Sequence, residues 1–321
     1  MENQENLVTR SSHSRRRTTQ NQNPFRYPSS PKPPTSRGGD SRAPRARGRG
    51  RNSGGRTSGN ITDNGEIIDC IDIYKQPSLA NSLITDLQYA VVTNEGSSYH
   101  GASGVFNLWN PKTEDNEVSL SQIWVVTSYD KDNPYNNLNS IEVGWMRDGY
   151  KTTGCYDLNC KGFVQTNGKF SFGMPMRVSI YGGQSMEVSI NVFKDKTTRD
   201  KWWLQVEGSI VGYWPVDMFT DLKNSANSVE WGGEIMNRRT NGHHTTTQMG
   251  SGEFPNKGFS KSCFIHSLKV IDSGLVTRDP GYLEKTISKP ACYDLTLTKN
   301  SGSSFKTHIF YGGPGFSPTC Q

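Results

Sequence analysis

Two short acidic segments bring together the residue types that could do chemistry in this chain. In Ile141-Glu142-Val143-Gly144-Trp145, the two-residue period of a strand puts Ile141, Val143 and Trp145 on one face, leaving Glu142 beside Gly144 on the other. In Val229-Glu230-Trp231-Gly232-Gly233-Glu234-Ile235, Glu230, Gly232 and Glu234 share one face and Val229, Trp231, Gly233 and Ile235 the opposite one. A carboxylate beside a glycine stands where a substrate can approach, as acid or base catalysis requires. Solvent-facing glutamates on half-buried strands give the same pattern, and alternation alone does not separate the two readings.

The familiar hydrolytic and phosphate-binding signatures are missing. The chain has no Gly-x-Ser-x-Gly, no His-Glu-x-x-His and no Gly-x-x-x-x-Gly-Lys. Asp272-Ser273-Gly274 imitates half of an aspartic-protease pair, but a second such tripeptide is absent, so it reads as a strand ending in a turn. Cys263-x-x-His266 has no second pair at zinc spacing, and His243-His244 reads as a solvent-facing pair in an Asn-Gly turn region. No metal and no cofactor is expected.

The elements that must position the glutamates are short. From about residue 90, apolar or alternating runs are broken by Gly, Asn, Asp and Ser at intervals of roughly ten residues, the signature of an all-β domain. Strands are expected at 103–108, 122–127, 139–145, 162–165, 177–180, 186–193, 202–208, 229–235 and 263–271. Turns are expected at Asn167-Gly168, Gly182-Gly183 and Asn241-Gly242. One short helix is expected after Pro215, with Asp217 in its first turn and Met218, Phe219, Leu222 and Ala226 at helical spacing. Many strands and one helix predict an antiparallel β-sandwich of two sheets.

Composition sets limits. The chain has 321 residues, 32% of them hydrophobic, with no apolar run near the eighteen that a membrane helix needs, so no membrane span is expected. Residues 1–59 hold 13 of the 36 Lys and Arg but 3 of the 30 Asp and Glu, a net of +10 against −4 for the remainder. This segment, with Arg15-Arg16-Arg17, the Pro-rich 28–34 and Arg47-Gly48-Arg49-Gly50-Arg51, offers almost nothing to bury and is expected to be disordered. A nucleic-acid-binding tail, an organelle transit segment and a solvated extension without a task of its own all fit it. No apolar signal-peptide run follows Met1, and the acceptor pattern Asn60-Ile61-Thr62 bears on glycosylation only in a secreted chain.

Ordered landmarks across residues 98–321 resemble the plant neprosin-type glutamic peptidases. They begin with Gly104-Val105-Phe106-Asn107-Leu108-Trp109-Asn110-Pro111, Leu120-Ser121-Gln122-Ile123-Trp124-Val125 and Asn139-Ser140-Ile141-Glu142-Val143-Gly144-Trp145. Asp148-Gly149-Tyr150, Thr153-Gly154-Cys155-Tyr156, Cys160-Lys161-Gly162-Phe163-Val164-Gln165 and Gly212-Tyr213-Trp214-Pro215 follow. Trp231-Gly232-Gly233-Glu234, Gln248-Met249-Gly250-Ser251-Gly252, Cys292-Tyr293-Asp294 and Tyr311-Gly312-Gly313-Pro314-Gly315 complete the set. Upstream, Gly65 to Ile71 and Gln76-Pro77 resemble the end of that family's activation propeptide, at about 62–90.

The resemblance implies three segments: a basic tail at 1–59, a propeptide-like linker at 60–97 and a peptidase domain at 98–321. It implies an endopeptidase acting on proline-containing peptides, cutting after proline at acidic pH, with Glu142 and Glu234 as the catalytic pair. Trp145, Tyr213, Trp214, Trp231 and Gln248 would line the substrate groove. Cys155 would pair with Cys160 and Cys292 with Cys320, in an oxidising compartment, with Cys263 a buried thiol. The family is secreted. One departure stands beside Glu142: where the family carries some twenty further residues, only Met146 and Arg147 separate Trp145 from Asp148. That shortening predicts a bare strand edge next to Glu142 and a second reading, a fold-retaining binding or structural protein with impaired catalysis.

Overall fold

The alternation read above is realised as antiparallel ladders. The computed structural model describes residues 86–115, 117–127, 139–147, 162–170, 174–238, 243–300 and 302–321 (backbone only at 86, 97 and 145–147), together with the backbone of three short strands further upstream. In chain order the strands are β1 Asn6–His13, β2 Asn60–Ile61, β3 Ile67–Ile68, β4 Asp86–Asn107, β5 Val118–Thr127, β6 Asn139–Arg147, β7 Val164–Gln165 and β8 Glu187–Lys194. They continue with β9 Lys201–Val206, β10 Ser209–Pro215, β11 Ala226–Asn237, β12 Cys263–Asp272, β13 Thr277–Arg278, β14 Glu284–Ile287, β15 Asp294–Thr298 and β16 His308–Gly312. A separate unit, Pro28–Asn81, contains the small β2–β3 ladder.

Strand β4, 22 residues long, serves two sheets. Its first part pairs with β11 and, at Ala90–Thr93, with β14, while Gly101–Asn107 pairs with β8 and Ala102–Phe106 lies along β12. One sheet therefore runs β1-β6-β5-β11-β4-β14. The other runs β7-β10-β9-β8-β4-β12, extended by β16 and β15. Ile123 and Val125, Ile141 and Val143, Val229 and Trp231 point from the first sheet into the same buried cluster as Val188, Ile190, Trp202 and Leu204 of the second. Each fully buried aliphatic side chain contributes about 1.5–3 kcal/mol. This shared core makes the antiparallel sandwich expected from the pattern, and it fixes which face of β6, β5 and β11 is left for Glu142, Glu230 and Glu234.

Several expectations need correction. The boundary at residue 98 falls inside β4, which starts at Asp86 and buries Ala90, Val91 and Val92 completely. The helix after Pro215 is one 3₁₀ turn, Val216–Met218, and Ala226 already pairs with Tyr99 in β11. The Asn139 Oδ1 accepts hydrogen bonds from the backbone N–H groups of Thr220, Asp221 and Leu222, so this stretch satisfies its donors without a helix. Residues 177–180 form no strand: the Ser179 N–H donates to the carbonyl of Leu108 and the Ile180 N–H to that of Gln184. The β6 edge expected to be bare is paired along Asn139–Met146 by β1, with Arg10 in register with Glu142. Apart from β1, residues 1–59 lie outside the described residues, as do the Cys155–Cys160 pairing and the Asn241-Gly242 turn.

Cys292 and Cys320 form a disulfide across a separation of 28 residues, as the resemblance implied. Closing a loop of that size removes unfolded-state entropy. Replacing both cysteines by serine should lower the unfolding free energy by about 2–4 kcal/mol, measured by urea denaturation as a lower midpoint, with an m-value no smaller than wild type because the denatured chain is less constrained.

Candidate functional site

The face opposite the core is organised by register. Glu142 pairs with Trp124, and Trp124 with Glu230, so the two carboxylates flank one tryptophan on a single rung of β6, β5 and β11. Gly144, Gln122 and Gly232 make the next rung on this face, and Met146, Leu120 and Glu234 the one beyond. Adjacent strands lie about 4.8 Å apart and residues rise about 3.4 Å. On a flat sheet the Cα atoms of Glu142 and Glu230 are then roughly 10 Å apart, and those of Glu142 and Glu234 roughly 16 Å. Glu234 and Glu142 thus face each other diagonally across the glycine rung.

Both glycines have a backbone reason to be there. A Cβ on Gly144 would lie 1.8 Å from the Ser121 carbonyl oxygen, and one on Gly232, at φ +153, would lie 2.2 Å from that of Ala90. No side chain fits either place without displacing a neighbouring strand. The open middle rung is therefore a consequence of close strand approach, and it leaves Gln122 as the single side chain between the two acids on β6, β5 and β11. Val91, Trp124 and Val126, with Tyr89 against them, form an apolar floor on this face.

The carboxylates differ in surroundings. Glu142 is 8% exposed, and its Oε1 accepts a hydrogen bond of 2.8 Å from the Ser140 hydroxyl. Glu234 is half-buried. Glu230 is 4% exposed, and its Oε1 has no hydrogen-bond partner. Burial first, then the negative charges of Glu142, Glu95 and Glu234, push the Glu230 carboxyl up to about 8. Glu230 is therefore kept protonated through the acidic range, and sequence reasoning placed it on the right face without assigning it a role. Gln122 was missed as well; the alternation of β5 puts it on the side of Trp124, but only the ladder register puts it between the glutamates.

Four of the five expected groove residues, Trp231, Trp214, Tyr213 and Gln248, have side-chain partners elsewhere. Trp231 points into the core, where its indole N–H donates to the Ser103 carbonyl at 3.2 Å. The same alternation that aims Glu230 and Glu234 outward requires this. Trp214 is buried in the core against Phe163, at 4.7 Å between ring centroids. Tyr213 stacks edge-on with Trp203 in the second sheet, and the Gln248 Oε1 accepts from the Lys112 N–H at 3.0 Å. Trp145 pairs through its backbone with Ser121, and its side chain lies outside the described residues.

The other sequence candidates are structural. His243 is exposed, but His244, expected to face solvent with it, is buried with Nε2 2.9 Å from Gln88 Oε1. His244 also lies beside Cys292 and Cys320, within 4.8 Å. Those two sulfurs are bonded to each other and offer no thiolate to a metal. Cys263 is buried with Sγ 3.3 Å from the Tyr311 hydroxyl, and His266 pairs with Glu187 instead of sharing a metal with it. Asp272 ends β12 and anchors a turn through the Val276 N–H.

A raised carboxyl links stability to pH. Unfolded, Glu230 titrates near its ordinary value of 4.5; folded, near 8. Between these values the folded chain holds one proton more than the unfolded chain. The stability that Glu230 contributes is thus present in full below about 4.5 and is lost as pH rises through about 8. In Glu230→Gln, the fall of the urea midpoint between pH 5 and pH 8.5 should be visibly shallower than in wild type; parallel profiles would refute the assignment.

Residues 115–314 match the Neprosin family. Among solved structures, scytalido-glutamic peptidase with a peptide-based transition state analogue is similar at 10% identity and TM-score 0.35, covering 72% of this chain and 98% of that one. SCP-B, a member of the Eqolisin family of peptidases, in complex with the tripeptide Ala-Ile-His, is similar at 10% identity and TM-score 0.36, with the same coverage. A second scytalido-glutamic peptidase structure, with a transition state analogue inhibitor, is similar at 11% identity and TM-score 0.37, covering 71% and 98%. The family match spans well over half of the chain and includes Glu142, Gln122, Glu230 and Glu234: this protein belongs to the Neprosin family.

Proposed function

We propose that the chain is a glutamic endopeptidase that holds a peptide across β6, β5 and β11 and cuts it with Glu142 and Glu234. The observation that carries this reading is the register: two carboxylates from strands distant in sequence face each other diagonally over a rung with two glycines. Extended inward, they would leave room between them for a peptide unit and a water. Two carboxylates around one substrate do not ionise together, so one keeps a proton while the other is charged. The charged one takes a proton from water, whose oxygen attacks the scissile carbonyl; the protonated one gives its proton to the departing nitrogen. The roles belong to the pair and exchange with titration.

Such a pair works at acidic pH, where Glu230 remains uncharged and adds no third negative charge to the face. The floor of Trp124, Val91 and Tyr89 suits a proline ring, since aromatic-lined grooves dock proline-containing segments. A second reading has its own observation. The short connection after Trp145 and the pairing of β1 along β6 set strand β1 where a substrate-side extension would start, which favours a binding protein that keeps the fold without the catalysis.

A proline-containing fluorogenic peptide at acidic pH separates the two. Glu142→Gln and Glu234→Gln should each lower kcat/KM at least 10²-fold with thermal midpoints near wild type. Wild type and both variants showing the same rate would establish the second reading.

A further inference from the structure

We infer that His100, Lys194 and Arg199 form a binding site for a compact oxyanion of the sulfate or phosphate type, at the end of the second sheet and independent of the peptidase reading. The inward rows of two strands lead to it. Ala102 of β4 and Val188, Ile190 and Val192 of β8 lie in the core, and alternation carries those rows on to His100 and Lys194. The ladder that pairs Ala102 with Val192 and Gly101 with Phe193 makes His100 and Lys194 its next two facing positions. Arg199 follows in the turn between β8 and β9.

Both side chains are buried and short of partners. Lys194 is 3% exposed, and its ammonium donates to the carbonyls of Lys223 and, at 2.6 Å, Asn224. Among the described residues no carboxylate forms an ion pair with it. His100 is 6% exposed, and its Nδ1 is buried with no hydrogen-bond partner. A buried charge without a counter-charge and a buried polar atom without a partner are both costly, and a bound anion offsets both. Burial, then the Arg199 charge, lowers the Lys194 ammonium to about 8. Burial first, then Lys194 and Arg199, lower the His100 imidazole, while Asp272 acts in the opposite direction.

The carboxylates at this end have partners of their own. Asp272 accepts from the Arg278 guanidinium and the Val276 N–H, and Asp200 pairs with Lys201. Asp195 accepts from the N–H groups of Thr197 and Thr198 and from the Trp203 indole. The missing counter-charge must therefore come from outside the chain. Sulfate and phosphate carry several acceptor oxygens for donors on three elements, and their double charge matches Lys194 and Arg199 better than a carboxylate does.

Isothermal titration of sodium sulfate into the full chain, at about pH 6 and constant ionic strength so that screening stays the same throughout, tests the site. Saturable one-to-one binding with Kd about 1 mM or tighter is expected. Arg199→Gln should weaken it about fivefold or more, and His100→Leu and Lys194→Met about tenfold or more. Lys269→Gln, which removes a cation already paired with Asp279, should stay within about twofold of wild type. Should Lys194→Met fail to fold, Arg199→Gln and His100→Leu still decide. Binding that does not saturate, or that falls equally in Lys269→Gln, means an adventitious ion only and overturns the site. Acetate binding as tightly as sulfate overturns the assignment to a sulfate- or phosphate-type anion. O-phosphoserine displacing sulfate places the group on a larger ligand, and sulfate binding alone makes it a free ion; both results support the site.

Discussion

The register of two ladders, β6 on β5 and β5 on β11, is the constraint on which the rest of the structure depends. A slip of one residue in either ladder would turn Glu142 or Glu234 into the core and bring Ile or Val out to the face. The core prevents that slip. Ile141 and Val143, Ile123 and Val125, Val229 and Trp231 enter one buried cluster, so the hydrophobic energy that holds the sandwich together also sets the position of each acid. The glutamates need no scaffold of their own; they occupy the alternate positions of strands whose other positions are committed.

That economy brings a conflict of charge. Three carboxyls, Glu142, Glu230 and Glu234, lie within three rungs of one face, two of them nearly buried. Desolvation and mutual repulsion oppose ionising all of them, and they raise the Glu230 carboxyl to about 8. The result is a difference set by environment among identical side chains: Glu230 stays neutral across the acidic range. The glycines act in the same way from the steric side. Gly144 and Gly232 are required by the approach of neighbouring backbones, and the open rung between Glu142 and Glu234 follows from that packing.

Alternation was enough to predict the sandwich and the outward direction of Glu142, Glu230 and Glu234, because period two is a local property and the core residues repeat it clearly. Partners across strands are not local. The sequence offers no measure of which residue of β5 lies opposite Glu142, so Gln122 and the rung it shares with the two glycines were invisible until the ladders were known. Trp214 and Trp231, expected in the groove on resemblance alone, enter the core instead, and for Trp231 the alternation that aims Glu230 and Glu234 outward already required it. The helix after Pro215 failed on a single side chain, since Asn139 reaches across to take the backbone donors that helical periodicity seemed to commit.

Strand β1 extends the same logic to the sheet edge. Were β6 the last strand of its sheet, it would expose unpaired backbone groups beside Glu142, and exposed edges recruit other strands. Here the shortened connection after Trp145 coincides with eight paired positions between Asn6–His13 and β6. The opposite partner of Glu142 is an arginine, Arg10, drawn from a segment whose net charge is +10. The register thus sets Asn6–His13, a short piece of the basic part of the sequence, along the strand that bears Glu142.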